Sequence, residues 1–240
     1  MTTAGREFRP RGPLLIVSPH LDDAVLSCTA LMHAHPGTTV VTVLAGAPNS
    51  PHTGYNSRTT GATHAPDALK IRKDEDSAAL SSLSAGFVWL DFLDNDYADG
   101  ADDINDVVDI RRALEDVIAS RRPATVVSPL GLVHVDHVRV SDVCLDVALR
   151  CEIDWYLYTD LPYAAAMPRT VPQRVGELTT RVALGAPLLV PGDPVRKRAT
   201  MKIYRSQFEP TRRSGRRGFR IAMKAPEEFR RVERARDEGA

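Results

Sequence analysis

Cysteine is scarce in this chain. Its three cysteines, Cys28, Cys144 and Cys151, form no CxxC pair. That excludes a thiolate zinc site and a disulfide framework, and a reducing, cytoplasmic compartment is the expectation. Long apolar runs are also missing: no segment approaches the roughly 18 apolar residues a membrane span needs. The opening MTTAGREFRPRG has no apolar stretch and reads as a flexible leader rather than a signal peptide. Net charge is absent too. Lys plus Arg number 31 and Asp plus Glu number 31, which removes any whole-molecule attraction to nucleic acid or a membrane surface. There is no internal repeat. There is also no GxGxxG after the first strand-like run, which a dinucleotide-binding module would carry. The turn at that place is acidic and would repel a pyrophosphate.

What is present is ordinary globular material. The 240 residues are 43% hydrophobic and 26% charged, enough for one large domain with a sizeable core. Apolar and β-branched runs at Leu14–Val17, Thr39–Leu44, Phe87–Leu90, Thr125–Val127 and Asp154–Tyr158 predict five strands. Between them, helical patterns are expected over 23–35, 66–83, 104–120 and 137–150, with Pro66 near the start of its helix. Strands alternating with helices imply right-handed βαβ units and a mostly parallel, Rossmann-like α/β sheet flanked by helices. Residues 47–65, rich in Gly, Pro, Asn, Ser, Thr and His, read as a long loop, and 94–103 as an acidic loop.

Beyond Pro168 the pattern changes. Residues 175–184 alternate like an antiparallel strand and 194–205 read as a helix, giving a small C-terminal antiparallel and helical extension. The expected organisation is a leader over 1–12, a main domain over 13–208, and a basic extension over 209–240, in the same domain or partly disordered. Arg212, Arg213, Arg216 and Arg217 in that extension read as a solvated face. Trp89 and Trp155 are expected in the core.

Two clusters carry chemistry. Ser18-Pro19-His20-Leu21-Asp22-Asp23 follows the first strand and leads into the first helix. His134-Val135-Asp136-His137 stands between the fourth strand and the next helix. In a parallel sheet, sites are built at the carboxyl ends of strands. His20 and Asp23, three apart across a turn, can face one ion, and His137 completes three corners of a zinc tetrahedron. The fourth position stays open to water, as in catalytic zinc sites. Asp22 is then the candidate general base. His134, protonated, stabilises the oxyanion or protonates the leaving amine, and Asp136 orients a neighbouring imidazole. The competing reading makes Asp22 and Asp23 simple helix N-caps. His33, His35, His52 and His64 have no carboxylate at ligand spacing and read as surface residues.

These residues resemble the PIG-L/LmbE family of de-N-acetylases. Pro19-His20-Leu21-Asp22-Asp23 is close to that family's P-H-P-D-D, and His134-Val135-Asp136-His137 to its H-x-D-H. Arg72-Lys73-Asp74-Glu75 is similar to its R-x-x-E. Lys197 and then Tyr204-Arg205-Ser206-Gln207 are similar to its Lys and Tyr-x-Ser-Gln. The resemblance spans residues 14–207. It implies a Rossmann-like fold and a zinc amidohydrolase acting on the N-acetyl group of an N-acetylglucosamine-type conjugate, in natural-product or protective-thiol biosynthesis. By position it implies His20, Asp23 and His137 as metal ligands, Asp22 as base, His134 as acid, and Arg72 and Asp94 at the substrate. It also gives Tyr204 and Gln207 a structural role near the site wall. Leu21 departs from the family's Pro and Ala24 from its common acidic residue, but neither is a ligand. Two alternatives remain open: cleavage of another amide, such as a thiol conjugate or a different acyl group, and a non-enzymatic binding module. No sequence feature marks an oligomer interface.

Overall fold

The computed structural model describes residues 6–48, 55–98, 105–208 and 216–233. The first strands are β1 (Arg6–Glu7), β2 (Leu14–Ser18), β3 (Thr39–Thr42) and β4 (Gly86–Trp89). The helices between them are α1 (Asp23–Ala34), α2 (Tyr55–Thr60) and α3 (Ala65–Ser82). A 3-10 turn at Asn95–Tyr97 and α4 (Val107–Arg121) lead to β5 (Thr125–Pro129). Then come α5 (Val135–Ala148), β6 (Asp154–Tyr158), α6 (Tyr163–Ala166) and α7 (Thr170–Leu178). The chain ends with β7 (Ala183–Leu184), β8 (Leu188–Val190), α8 (Pro194–Met201), α9 (Arg216–Ala222) and β9 (Glu227–Glu233).

Eight strands lie in the order β1-β8-β9-β6-β5-β2-β3-β4, and β7 pairs with β9. The pairs β6–β5, β5–β2, β2–β3 and β3–β4 are parallel, whereas β9 runs antiparallel to β6, β8 and β7. The chain winds outward through β2, β3 and β4, then returns to place β5 and β6 on the other side of β2. The connections leaving β2 and β5 thus diverge in opposite directions, and the crevice between them is the switch point where doubly wound sheets hold ligands.

Strand β2 shows why the sheet is two-sided. Its five residues are all buried. Leu14 and Ile16 join one core with Val25, Leu31, Met32, Leu80 and Phe229. Leu15 and Val17 join the other with Val41, Ile110, Val140, Leu145 and Trp155. A run that is apolar at every position, covered on both faces, is the mark of a buried parallel strand. Helix α1 departs from helical dihedrals at Cys28 (φ −133°, ψ 23°). The N–H groups of Ala30 and Leu31 just beyond donate to the Glu227 carboxylate of β9 at 2.8 and 2.9 Å. The buried Lys197 Nζ lies 3.3 Å from Glu227 Oε1, so the C-terminal strand is tied to the helix that opens at Asp23.

Several expectations are corrected. Residues 175–184 are not a strand. Val171, Val175 and Leu178 recur at helical spacing on α7, where Leu178 is buried, and only Ala183–Leu184 is extended. Trp155 is a core residue, but Trp89 is half-exposed on the edge strand β4, stacked on Phe87 at 4.4 Å. The stretch 47–65 contains α2, with residues 49–54 outside the described ones. The leader is structured from Arg6: β1 pairs with β8, and Phe8 is buried against Phe229 at 4.5 Å. Residues 216–233 belong to the same sheet and core. The guanidinium groups of Arg212, Arg213, Arg216 and Arg217, His52, and residues 99–104 of the acidic loop lie outside what the structure describes. Among the described residues no helix is long and apolar enough to cross a membrane.

Candidate metal centre and active site

The turn after β2 is set by hydrogen bonds. Ser18 Oγ donates to the His20 carbonyl at 2.6 Å and accepts from Ala24 N at 3.0 Å. The His20 N–H donates to Asp23 Oδ2 at 2.9 Å. Asp22, at the N-cap position of α1, makes no capping bond. The N-cap alternative therefore fails for Asp22, and its carboxylate is left to the crevice.

Three donor atoms converge there. Asp23 Oδ2 lies 3.1 Å from His20 Nδ1 and 3.2 Å from His137 Nε2. The opposite nitrogen of each ring faces another carboxylate. His20 Nε2 is 3.0 Å from Asp136 Oδ2, and His137 Nδ1 is 2.6 Å from Asp160 Oδ1. An ionised carboxylate can only accept, so each ring's proton is assigned to the nitrogen facing Asp136 or Asp160. The other nitrogen of each ring then carries a lone pair toward Asp23. His137 Nε2 is buried with no hydrogen-bond partner. Such a cluster needs a cation between its lone pairs. Tetrahedral zinc with bonds of about 2.0–2.1 Å sets neighbouring ligands roughly 3.3–3.4 Å apart, and the observed spacings come within a few tenths of that. His20, Asp23 and His137, all buried, form one candidate metal-binding group, and the donor set fits zinc.

The electrostatics agree. Burial lowers the His137 imidazolium, but the Asp23 charge and the Asp160 hydrogen bond outweigh it and push the group up to about 9. Burial works against the Asp23 carboxylate, yet His137 and His20 hold it well below the usual range. Five carboxylates, those of Asp22, Asp23, Asp94, Asp136 and Asp160, surround this point, and without a metal ion protons must supply the positive charge.

Asp22 is pushed up to about 6 by burial and the adjacent Asp23 charge, with Arg72, His20 and His137 opposing. Arg72 Nη2 stands 3.5 Å from Asp22 Oδ1 and Nη1 3.6 Å from Asp94 Oδ2. Arg72 and Asp94, expected at the substrate, are both buried. Both are tied into the protein: Arg72 donates to Asn56 Oδ1 at 2.8 Å, Asn56 donates to Asp94 Oδ2 at 3.1 Å, and Asp94 caps the 3-10 turn through Asp96 N at 2.9 Å, while Arg72 Nε is buried with no partner among the described residues. Asp136 sits under His20 and also accepts from Asn95 N at 3.1 Å.

His134 is the N-cap of α5, its Nδ1 accepting from Asp136 N at 3.3 Å. That leaves Nε2 for a substrate. Burial, and then the neighbouring His20, lower its pKa, so the neutral ring with its proton on Nε2 is favoured over the expected imidazolium. The preceding Val133 has φ +64° and closes a γ-turn from His134 N to Leu132 O at 2.7 Å. A β-branched residue in that region is strained. Val133 and Val135 are each about half exposed, at 49% and 46%, and place an apolar rim on both sides of His134.

Two positions at this centre, Asp160 and Asn56, stand outside both motifs. Asp160 follows the end of β6, the same strand-end position that pointed to the two motifs, and holds His137 from behind. Its other oxygen accepts from Gly131 N at 2.9 Å. Gly131 has φ +86°, and a Cβ there would fall 2.6 Å from Ser141 Cβ. Asn56 was hidden in a polar stretch with no ligand pattern. Tyr204 and Gln207 are structural: the Tyr204 hydroxyl donates to Asp76 at 2.7 Å, and Gln207 Nε2 donates to Thr59 Oγ1 at 3.3 Å. Glu75 of the R-x-x-E segment accepts from Ser206 Oγ at 2.6 Å, so the two outlying family motifs bind each other.

Comparison with known proteins follows the same line. The PIG-L family, described as GlcNAc-PI de-N-acetylase, matches residues 15–148. The crystal structure of Dbv21, the deacetylase of the antimicrobial A40926 pseudoaglycone, is 31% identical. The alignment covers 91% of this chain and 96% of Dbv21, with a TM-score of 0.71. A deacetylase–teicoplanin complex from the teicoplanin pathway is 26% identical over 93% of this chain and 99% of its own, with a TM-score of 0.75. The 4-carboxy-2-hydroxymuconate hydratase GalB of Pseudomonas putida KT2440 is 15% identical over 95% and 98%, with a TM-score of 0.57, and shares the fold alone. No curated protein sequence gives a significant match.

Proposed function

This chain belongs to the PIG-L family of GlcNAc-PI de-N-acetylases, a family of hydrolases, and from that premise we propose that it hydrolyses the N-acyl group of an N-acetylglucosamine-type sugar carried on a larger conjugate. The observation that carries this is the convergence of His20 Nδ1, Asp23 Oδ2 and His137 Nε2 beside a base-competent Asp22. Zinc is the proposed metal. When bound, it would polarise the amide carbonyl and lower the pKa of a water molecule.

The chain's own groups do the rest. Asp22 takes the proton of the attacking water as the oxygen joins the carbonyl carbon. Arg72, 3.5 Å from Asp22, keeps the carboxylate ionised at neutral pH. His134 donates from Nε2 to the oxygen that gains charge. Asp22 then returns its proton to the departing nitrogen as the C–N bond breaks. Asp136 and Asp160 fix the rings of His20 and His137 in the tautomers that leave a lone pair toward Asp23.

The resemblance to glycopeptide deacetylases supports a glycopeptide pseudoaglycone as one member of the substrate class. A second reading keeps the site and lengthens the acyl group. The apolar rim of Val133 and Val135 favours it. The test is zinc-loaded enzyme against N-acyl glucosamine conjugates with acyl chains from acetyl to decanoyl, scored for free amine. Acyl pockets discriminate by about 1–3 kcal/mol per methylene, so the chain-length profile separates the readings. Full activity after exhaustive chelation would refute the metal-dependent hydrolysis.

A further inference from the structure

Tyr163 is not part of either motif and takes no part in the mechanism above. It opens α6, three residues after Asp160, and the Ala164 N–H donates back to the Asp160 carbonyl at 3.1 Å. One short segment thus supplies both the carboxylate behind His137 and an aromatic ring packed against it. That ring packs edge-on against His137, with centroids 5.1 Å apart and planes at 87°. Its hydroxyl has no hydrogen-bond partner among the described residues, although the charges of Asp23, Asp22, Asp160 and Asp136 all act on it. By contrast, the Tyr204 hydroxyl donates to Asp76. A half-buried phenol with no partner has one O–H donor to offer.

We propose that Tyr163 is a further catalytic residue whose hydroxyl donates a hydrogen bond to the carbonyl oxygen of the scissile amide. The proposal rests on the hydrolase reading above. As the water oxygen bonds to the carbonyl carbon, the C=O π pair moves onto oxygen, and Asp22 takes the water's proton. Tyr163 keeps its own proton throughout and strengthens its hydrogen bond as charge builds. It is a second donor to that oxygen beside His134. Collapse returns the pair, breaks the C–N bond and releases the amine with the proton from Asp22.

The test is Tyr163→Phe, which keeps the ring against His137 and removes only the hydroxyl. With zinc content matching wild type, kcat on the best conjugate should fall about 100–1,000-fold while KM changes less than about twofold, as for loss of one oxyanion donor. A second readout uses acetate alone, whose carboxylate presents an oxygen at the same place. Its Kd for the zinc-loaded protein, by calorimetry, should rise about 5–10-fold. Incorporating 3-fluorotyrosine at position 163 restores a hydroxyl and should bring both values back to within about twofold of wild type. If Tyr163→Phe matches wild type in kcat and acetate affinity, the proposal is overturned. It is equally overturned if 3-fluorotyrosine is as defective as Phe, since the ring's packing would then be what matters. If wild-type protein binds zinc but frees no amine from any conjugate, the hydrolase reading fails, and the acetate comparison decides the role of Tyr163 by itself.

Discussion

Asp160→Asn replaces one oxygen by an amide nitrogen and should reverse the tautomer of a metal ligand. Asp160 accepts from two donors, His137 Nδ1 at 2.6 Å and the Gly131 N–H at 2.9 Å. The Gly131 donor is backbone and fixed, so the substituted side-chain amide must turn its oxygen that way. Its nitrogen then meets His137 Nδ1. Two donors cannot share that contact, so the ring proton moves to Nε2, the atom 3.2 Å from Asp23 Oδ2. Binding a divalent ion then requires breaking this arrangement. Loss of a carboxylate partner behind a metal-bound imidazole costs about 10–100-fold in affinity, or roughly 1.4–2.7 kcal/mol. Competition with a chromogenic chelator at fixed pH measures it directly, and circular dichroism checks that the fold is intact. An unchanged zinc affinity in a folded Asp160→Asn protein would refute the tautomer argument and, with it, the assignment of His137 Nε2 as a ligand atom.

Three more outcomes are expected. Asp22→Asn should retain zinc, because Asp22 is not among the converging donors, and lose about 10²–10⁴ in kcat as expected for removal of a general base; paired metal analysis and turnover measurements decide this. Asp76 is buried and accepts from Trp89 Nε1 at 2.8 Å and the Tyr204 hydroxyl at 2.7 Å; burial pushes it from 3.8 up to about 7 despite those hydrogen bonds. The native state therefore holds a proton that the unfolded chain releases between about pH 4 and pH 7, and stability falls as pH rises through that window, by up to roughly 4 kcal/mol in total. Urea unfolding should show wild type losing that much more than Asp76→Asn from pH 4 to pH 8, and parallel pH profiles would contradict it. Gly131→Ala sets a Cβ 2.6 Å from Ser141 Cβ at a φ of +86°, so its urea midpoint should drop by an amount equivalent to about 2–4 kcal/mol, with zinc affinity falling as the Asp160 contact shifts.

The parallel sheet and both motifs were legible because they are local. Leu14–Ser18 and Thr125–Pro129 are apolar enough to name themselves, and a His–carboxylate cluster at a strand end has few uses. What failed was relational. Asp160 is an unremarkable Asp until β6 is seen to lie beside β5, which brings it to His137. Arg72 lies 3.5 Å from Asp22 and Asp94 3.8 Å from His20, but their burial against Asn56 could not be read without α2. Val175 to Leu184 contains both a two-residue and a four-residue rhythm of apolar side chains, and burial of Leu178 against the core chose the helix. Residue type points Trp89 to the core, but β4 has a neighbour on one side only and leaves the indole partly exposed.

The adjacency of β2 and β5 also sets when the site can exist. Asp23 and His137 lie 114 positions apart in the chain, and two full crossovers are threaded before β5 closes onto β2. The donor atoms meet only after that long-range pairing has formed, which makes the centre a late product of folding. A divalent ion has no comparable site on the unfolded chain, so its whole binding energy adds to the stability of the finished sheet: about 2.7 kcal/mol at a free concentration a hundredfold above Kd. Metal supply would then govern how long the folded protein persists, independently of how fast it turns over.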